Sequence, residues 1–202
     1  MNKHLIKDTL ALFVITAVAA LLLSLVYEIT KDPISAQKQK QKNDAYKEVL
    51  TGADSFEDVK LNNAEGILSE AGIDKKMAEI NEVAKGTKGG ETVGYCIKVT
   101  DHEGYGGDIE VVVGIKADGT VSGISFLSIG ETAGLGMKAK EPEFKTQFAE
   151  KKVDSFVYTK TGKSADNEID ALTGATVTTN AVTNAVNSAL AYFKSLGGGA
   201  NE

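Results

Sequence analysis

From Leu10 to Val26 the chain carries no charged residue, and the polar face that a soluble helix shows at helical spacing is missing. With Thr9 and Tyr27 the run is 19 residues long. As a helix it rises roughly 28 Å, close to the roughly 30 Å of bilayer hydrocarbon. Thr16 and Ser24 are compatible with that solvent because a hydroxyl can bond back to a carbonyl one turn earlier. The pattern predicts a transmembrane helix over 9–27. Lys3 and Lys7 precede it while Glu28, Lys31, Asp32 and Pro33 follow, which favours a cytoplasmic N-terminus over residues 1–8. A cleaved signal peptide would have a shorter apolar core and a small-x-small exit, and the residues after Tyr27 are charged and bulky. With no ionisable group inside, the helix offers no ion path and is expected to act as a tether.

Residues 28–50 predict a helical stalk, its lysine- and glutamine-rich part (34–50) solvated, with apolar positions at Ala36, Ala45, Val49 and Leu50. A soluble domain is expected over 51–196 and a flexible tail over 197–202. Ala78–Val83 predicts a first strand. Val93–Val99, Ile109–Ile115 and Val121–Leu127 are β-branched runs with near period-two alternation, separated by turn-forming DHEGYGGD and KADGT, so they predict a β-meander. Asp118-Gly119 is the hairpin signal. Glu141–Lys151 predicts a helix with Pro142 in its first turn and Phe144 and Phe148 on one face. Phe156–Thr159 predicts a strand. Val177–Leu196 predicts the best amphipathic helix, with Val182, Val186, Ala189 and Phe193 on its apolar stripe and Gly197–Gly199 stopping it. The fold class is α+β: a single N-terminal transmembrane helix, then a domain with an antiparallel sheet and packing helices.

Composition removes most chemistry. The 202 residues carry a net charge of −6, and all 22 cationic side chains are lysine. A basic footprint for nucleic acid is missing, and so is bidentate guanidinium recognition of phosphate. Cys96 is the single cysteine, which excludes an internal disulfide, an iron–sulfur cluster and thiolate zinc sites. Placed mid-strand, it is expected to be a small buried hydrophobe. Of the two histidines, His4 lies before the apolar helix and His102 in a glycine turn, so a nucleophile–histidine arrangement is not supported. No catalytic residue and no metal ligand is assigned.

The remaining candidate is Asp170-Ala171-Leu172-Thr173-Gly174-Ala175-Thr176, immediately before the best helix. A glycine turn here delivers two hydroxyls to a helix N-terminus, where the free amides of Val177, Thr178 and Thr179 and the helix dipole favour an anion. Equally, Thr173 or Thr176 would be an ordinary helix cap. The residues alone leave both readings open.

The stretch DALTGAT resembles the flavinylation motif Asp-x-x-[Ser/Thr]-Gly-Ala-Thr of the FMN-binding domain family. That family includes the G subunits of the Rnf ferredoxin:NAD oxidoreductases and the C subunits of the sodium-translocating NADH:quinone reductases. Gly104-Tyr105-Gly106-Gly107-Asp108-Ile109 is similar to the family's GYxGxI stretch. Glu131-Thr132-Ala133-Gly134-Leu135-Gly136 resembles its Glu-Thr-Pro-Gly-Leu-Gly loop, with Ala133 in place of the frequent proline. The three stand in the family's order, and a length near 200 suits the Rnf member better.

The resemblance implies FMN held covalently through a phosphoester on Thr176. Asp170, Thr173, Gly174 and Ala175 would form the turn recognised by a flavin transferase. Glu131, Thr132, Gly134, Leu135 and Gly136 would shape the flavin pocket. It further implies a single-pass protein of the cell (inner) membrane, its domain on the outer face. There it would pass electrons between the redox and membrane subunits of an ion-translocating complex. Alternatives are a free-standing membrane-anchored flavin shuttle, the quinone-reductase counterpart, and a non-redox binding module whose threonine turn is only a cap. A flavin supplies its own redox electronics, which suits a chain so poor in acid–base residues.

Overall fold

The computed structural model describes residues 3–197; the N-terminal end of the expected 1–8 segment and the tail beyond Gly197 lie outside the described residues. Helix α1 runs from Lys3 to Val49 and passes through Pro33 without ending. The membrane segment and the stalk are therefore one helix, although a proline inside a helix removes one intrahelical hydrogen bond. Two units divide the chain between Lys42 and Asn43. In the first, the apolar side chains are bare all round: Leu12, Phe13, Leu21 and Leu23 are each more than 60% exposed. One stretch of α1 is long and apolar enough to cross a membrane. As expected, the Thr16 hydroxyl donates back to the Leu12 carbonyl at 3.0 Å.

The second unit is built on a five-stranded antiparallel sheet of β1 (Ser55–Val59), β2 (Ala78–Lys88), β3 (Glu91–Asp101), β4 (Ile109–Lys116) and β5 (Val121–Ile129), in sequential order. This is the predicted meander with one strand more. The added strand β1 and the short helix α2 (Ala64–Glu70) escaped the sequence reading. The SFEDV of β1 is largely exposed and lacks an apolar face, because an edge strand held by backbone pairing needs little burial. β2 extends five residues past the expected Val83 through Lys85, Gly86 and Thr87, since its backbone there pairs with β1 on one side and β3 on the other. The Asp118-Gly119 turn forms as expected, Gly119 adopting φ +88°.

Alternation along β3 and β4 sends Ile97, Val99, Val111 and Val113 to one face. There they meet Val182, Val186, Ala189 and Phe193 of the long C-terminal helix, Thr176–Ser195, in the main core. The opposite face carries Ala84, Cys96 and Val112, covered by Ala45, Tyr46, Val49 and Leu50. The expectation of a solvated stalk to residue 50 is thus corrected: the end of α1 is part of the domain. Gly114 makes this approach possible, because a Cβ there would strike the Val49 carbonyl and lie 2.6 Å from Ser122 Oγ. Ser122 donates its hydroxyl to that same carbonyl. Cys96 is fully buried, its thiol pushed up to about 12 by burial, which makes it inert packing as anticipated.

The helix expected over 141–151 is mostly absent. A 3-10 turn, Gly136–Lys140, leads into a four-residue helix α3 (Pro142–Lys145), followed by i→i−3 turns. Phe144 and Phe148 do share a face, their rings edge-on at 5.6 Å. Regular helix stops because Lys151 is drawn into a bridge with Val121 at the sheet edge. β6 (Val157–Thr159) pairs in parallel with β7 (Glu168–Asp170), a strand not foreseen. The chain then enters the C-terminal helix, α4.

Candidate functional site

Two similar turns create the site. In the first, Ala175 N donates to Leu172 O at 2.9 Å, and Gly174 takes φ +75° at the position where only glycine is unstrained. This places Thr176 as the first residue of α4, with Ala175 at the N-cap and no side chain capping it. The capping alternative for Thr173 or Thr176 is thereby corrected. Thr179 ties the turn down instead: its hydroxyl accepts from Leu172 N and donates to Ala175 O, both at 3.0 Å. The first intrahelical bond runs from Thr179 N to Ala175 O, so the Thr179 amide, expected to be free, is not. The amides of Thr176, Val177 and Thr178 precede it and are orphan donors at the positive end of the helix.

In the second turn, Leu135 N donates to Thr132 O at 3.1 Å with Gly134 at φ +77°, and Met137 N reaches the same carbonyl at 3.2 Å. Gly136 then passes between two side chains. A Cβ on it would lie 2.6 Å from both Glu131 Oε2 and Thr178 Oγ1, so the loop and α4 meet only because this residue is glycine. Glu131 is buried, and its Oε1 accepts from Gly106 N at 3.3 Å, which draws in the loop between β3 and β4.

The three stretches enclose a cavity of about 540 Å³, within the range of small-molecule sites. Glu131, Thr132, Leu135 and Gly136 line one side; Gly174, Ala175 and Thr176 line the other. Seven of the ten residues singled out in the sequence therefore line the same cavity. Tyr105, Val177 and Thr178 also line it. Tyr105 stands in the Gly104–Ile109 stretch, and the sequence names Val177 and Thr178 for their first-turn amides; sequence reasoning singles out none of the three as a pocket residue. Tyr105, Leu135 and Val177 leave 75%, 43% and 49% of their surface exposed around the opening.

Asp170, Thr173 and Gly134 stand outside that wall. Asp170 lies in β7, and its carboxylate accepts from Lys163 N at 2.6 Å, so it braces the preceding loop. Thr173 is solvent-exposed in its turn, and Gly134 supplies the positive φ. His102 holds Asp108 through Nδ1 at 2.9 Å, and that hydrogen bond raises its pKa. It is a loop brace rather than a pocket residue.

The donors and walls fit FMN. Orphan amides and the Thr176 hydroxyl suit a phosphoryl group, and exposed apolar side chains suit the flat ring. The FMN-binding domain family matches residues 104–191, a span that contains all three stretches of the cavity wall. The RnfG N-terminal region matches residues 1–49. The chain is 40% identical over 196 residues to the G subunit of the Na(+)-translocating ferredoxin:NAD(+) oxidoreductase complex of Acetobacterium woodii, covering 96% of this chain and 94% of that one. The chain belongs to the RnfG family. To the G subunit of the proton-translocating ferredoxin:NAD(+) oxidoreductase complex of Clostridium ljungdahlii this RnfG-family chain is 34% identical, covering 96% and 97% of the two. To the G subunit of the ion-translocating oxidoreductase complex of Methanosarcina acetivorans it is 32% identical, covering 95% of each. Among solved structures it is similar to Shewanella oneidensis NqrC, with TM-score 0.47 and 22% identity over 56% of this chain and 57% of that one.

Proposed function

We infer that this protein is the electron-carrying flavoprotein subunit of a membrane-bound, ion-translocating ferredoxin:NAD oxidoreductase, with FMN joined to Thr176 by a phosphoester. The observation that carries the reading is the cavity, which the two motif stretches, more than thirty residues apart in sequence, line together, with Thr176 at a helix N-terminus. When bound, the flavin supplies the redox chemistry, accepting and passing on electrons.

The chain's own residues attach and orient it. Thr176 offers the hydroxyl: on a flavin transferase its oxygen would displace the leaving half of a flavin phosphoanhydride at phosphorus, the anhydride bond breaking as the phosphoester forms and the hydroxyl proton passing to solvent. The amides of Thr176, Val177 and Thr178 face the negative charge of the phosphoester. Tyr105, Leu135 and Val177 provide apolar surface at the opening, where an exposed ring edge suits electron exchange with a neighbouring subunit.

The apolar helix tethers the domain to the bilayer, and the lysines before it favour a cytoplasmic N-terminus with the domain on the outer face. Covalent attachment makes sense there, where a lost cofactor could not be replaced. The partners are the other membrane and redox subunits of the complex and, during maturation, the transferase.

The test is intact mass and peptide mapping of the full-length protein from its native membrane. An FMN-sized addition on the peptide containing Thr176 is expected, and Thr176→Val made with the transferase should give no fluorescent band on a denaturing gel. A fluorescent Thr176→Val band would overturn the assignment.

A further inference from the structure

Helix α4 is left without a cap by its own sequence. Ala175 at the N-cap has no side-chain oxygen, and the first turn contains no acidic residue. The Thr179 hydroxyl is committed to Leu172 N and Ala175 O. Thr178 is only 1% exposed, yet its hydroxyl joins no hydrogen bond among the described residues and lies on the cavity wall beside Gly136. A 20-residue helix that carries much of the core against the sheet thus presents three orphan amides and one orphan hydroxyl to a single cavity. In proteins generally a serine, threonine, aspartate or asparagine side chain satisfies such donors; α2 and α3 of this chain, both far shorter, also have no side-chain cap. The Glu131 carboxylate lines the same cavity, with Oε1 accepting from Gly106 N at 3.3 Å and Oε2 on the Gly136 side.

We propose that the phosphoester on Thr176 is the missing N-cap of α4, so that attaching the flavin completes the fold of the domain as well as loading its cofactor. The ligand class is a phosphate diester fixed at the first helical residue. Its non-ester oxygens accept from the first-turn amides, and the Thr178 hydroxyl is a further donor on the same wall. The unmodified domain is then folded but frayed at the start of α4, with the Thr176 hydroxyl accessible to the transferase. Modification closes that end. This rests on Thr176 being the attachment point.

The experiment uses the full chain in detergent, produced with and without flavin transferase. Hydrogen exchange is resolved at individual amides and thermal unfolding is followed in parallel. Attachment is expected to slow exchange at the amides of Thr176, Val177 and Thr178 about tenfold and to raise Tm on the order of 3 °C. Compared per attached flavin, with the attached fraction of each protein read by intact mass, Thr178→Val should show a smaller Tm gain than wild type and Thr178→Ser should restore it; an equal gain in Thr178→Val would remove its hydroxyl from the cap. Protection confined to Glu131–Gly136 and Tyr105, with the first turn of α4 exchanging as before, would mean that the flavin only lies against the loops, and the capping proposal would fall alone. No attached mass on the Thr176 peptide in the presence of transferase would overturn the attachment reading, and the cap with it.

Discussion

Gln147 grips Asp170 with both ends of its side-chain amide: Oε1 accepts from Asp170 N at 2.8 Å and Nε2 donates to Asp170 O at 3.4 Å. The side chain behaves as a short piece of strand, continuing the pairing of β7 on the edge away from β6. Through it the turns after α3 hold the chain immediately before the Leu172–Ala175 turn.

Gln147→Leu leaves the amide and carbonyl of a partly buried backbone unit without their partner. It should cost about 1–3 kcal/mol of stability. Because the strand it anchors leads into the Thr176 turn, the fraction of protein carrying flavin should also drop. Chemical denaturation and the ratio of flavin to protein absorbance check both expectations. Unchanged stability together with full flavin loading would show that Gln147 anchors nothing of consequence.

Gly114 is the contact through which the end of α1 reaches the sheet. Gly114→Ala places a methyl against the Val49 carbonyl and Ser122 Oγ, and neither a strand nor a helix end yields easily. Overpacking of this kind costs about 1–3 kcal/mol. A thermal melt should show the loss, and limited proteolysis should show new cleavage near residues 43–50. Wild-type resistance to cleavage would contradict it.

Asp101 is fully buried at the end of β3, with Oδ2 unpartnered and Oδ1 accepting from Glu103 N at 2.9 Å. Burial pushes its carboxyl up to about 7, with Glu103 and Asp108 adding to the rise and the Glu103 amide and His102 opposing it. A carboxyl whose folded pKa is raised binds its proton more tightly in the folded state. Stability should therefore fall as pH rises from the ordinary aspartate range, near 3.8, to about 7, and stay lower above it. Asp101→Asn should flatten this slope and raise Tm at pH 8 more than at pH 5. Parallel pH profiles for the two proteins would refute the assignment.

Ala133 stands second in the Thr132–Leu135 turn, ahead of Gly134 at φ +77°. Proline favours that position in such turns because its ring pre-sets φ. Ala133→Pro should stabilise the protein by about 0.4–1 kcal/mol through lost freedom in the unfolded chain. Differential scanning calorimetry tests this, and a lowered Tm would show that the turn departs from that geometry.

Much of the molecule was legible in one dimension. The uncharged run from Leu10 to Val26 reads as a helix for an apolar solvent, and the β-branched runs Ile109–Ile115 and Val121–Leu127 read as strands, because those patterns reflect local geometry that every residue in the segment obeys. The motif around Thr176 was legible for the same reason: its turn is made by neighbours in sequence, with Gly174 supplying the positive φ. What only the tertiary structure decided rests on distant partners. β1 exists because β2 offers its edge, and Val49 and Leu50 leave the stalk for the core because Gly114 opens a place beside Val49, and Gly86 and Gly94 beside Leu50. The helix expected over 141–151 yields to turns because Lys151 finds Val121. Whether Thr173 or Thr176 caps α4 was undecidable from spacing. Hydroxyls near a helix start compete for the same few donors, and the close approach of Gly136 to Thr178 set which of them faces the cavity.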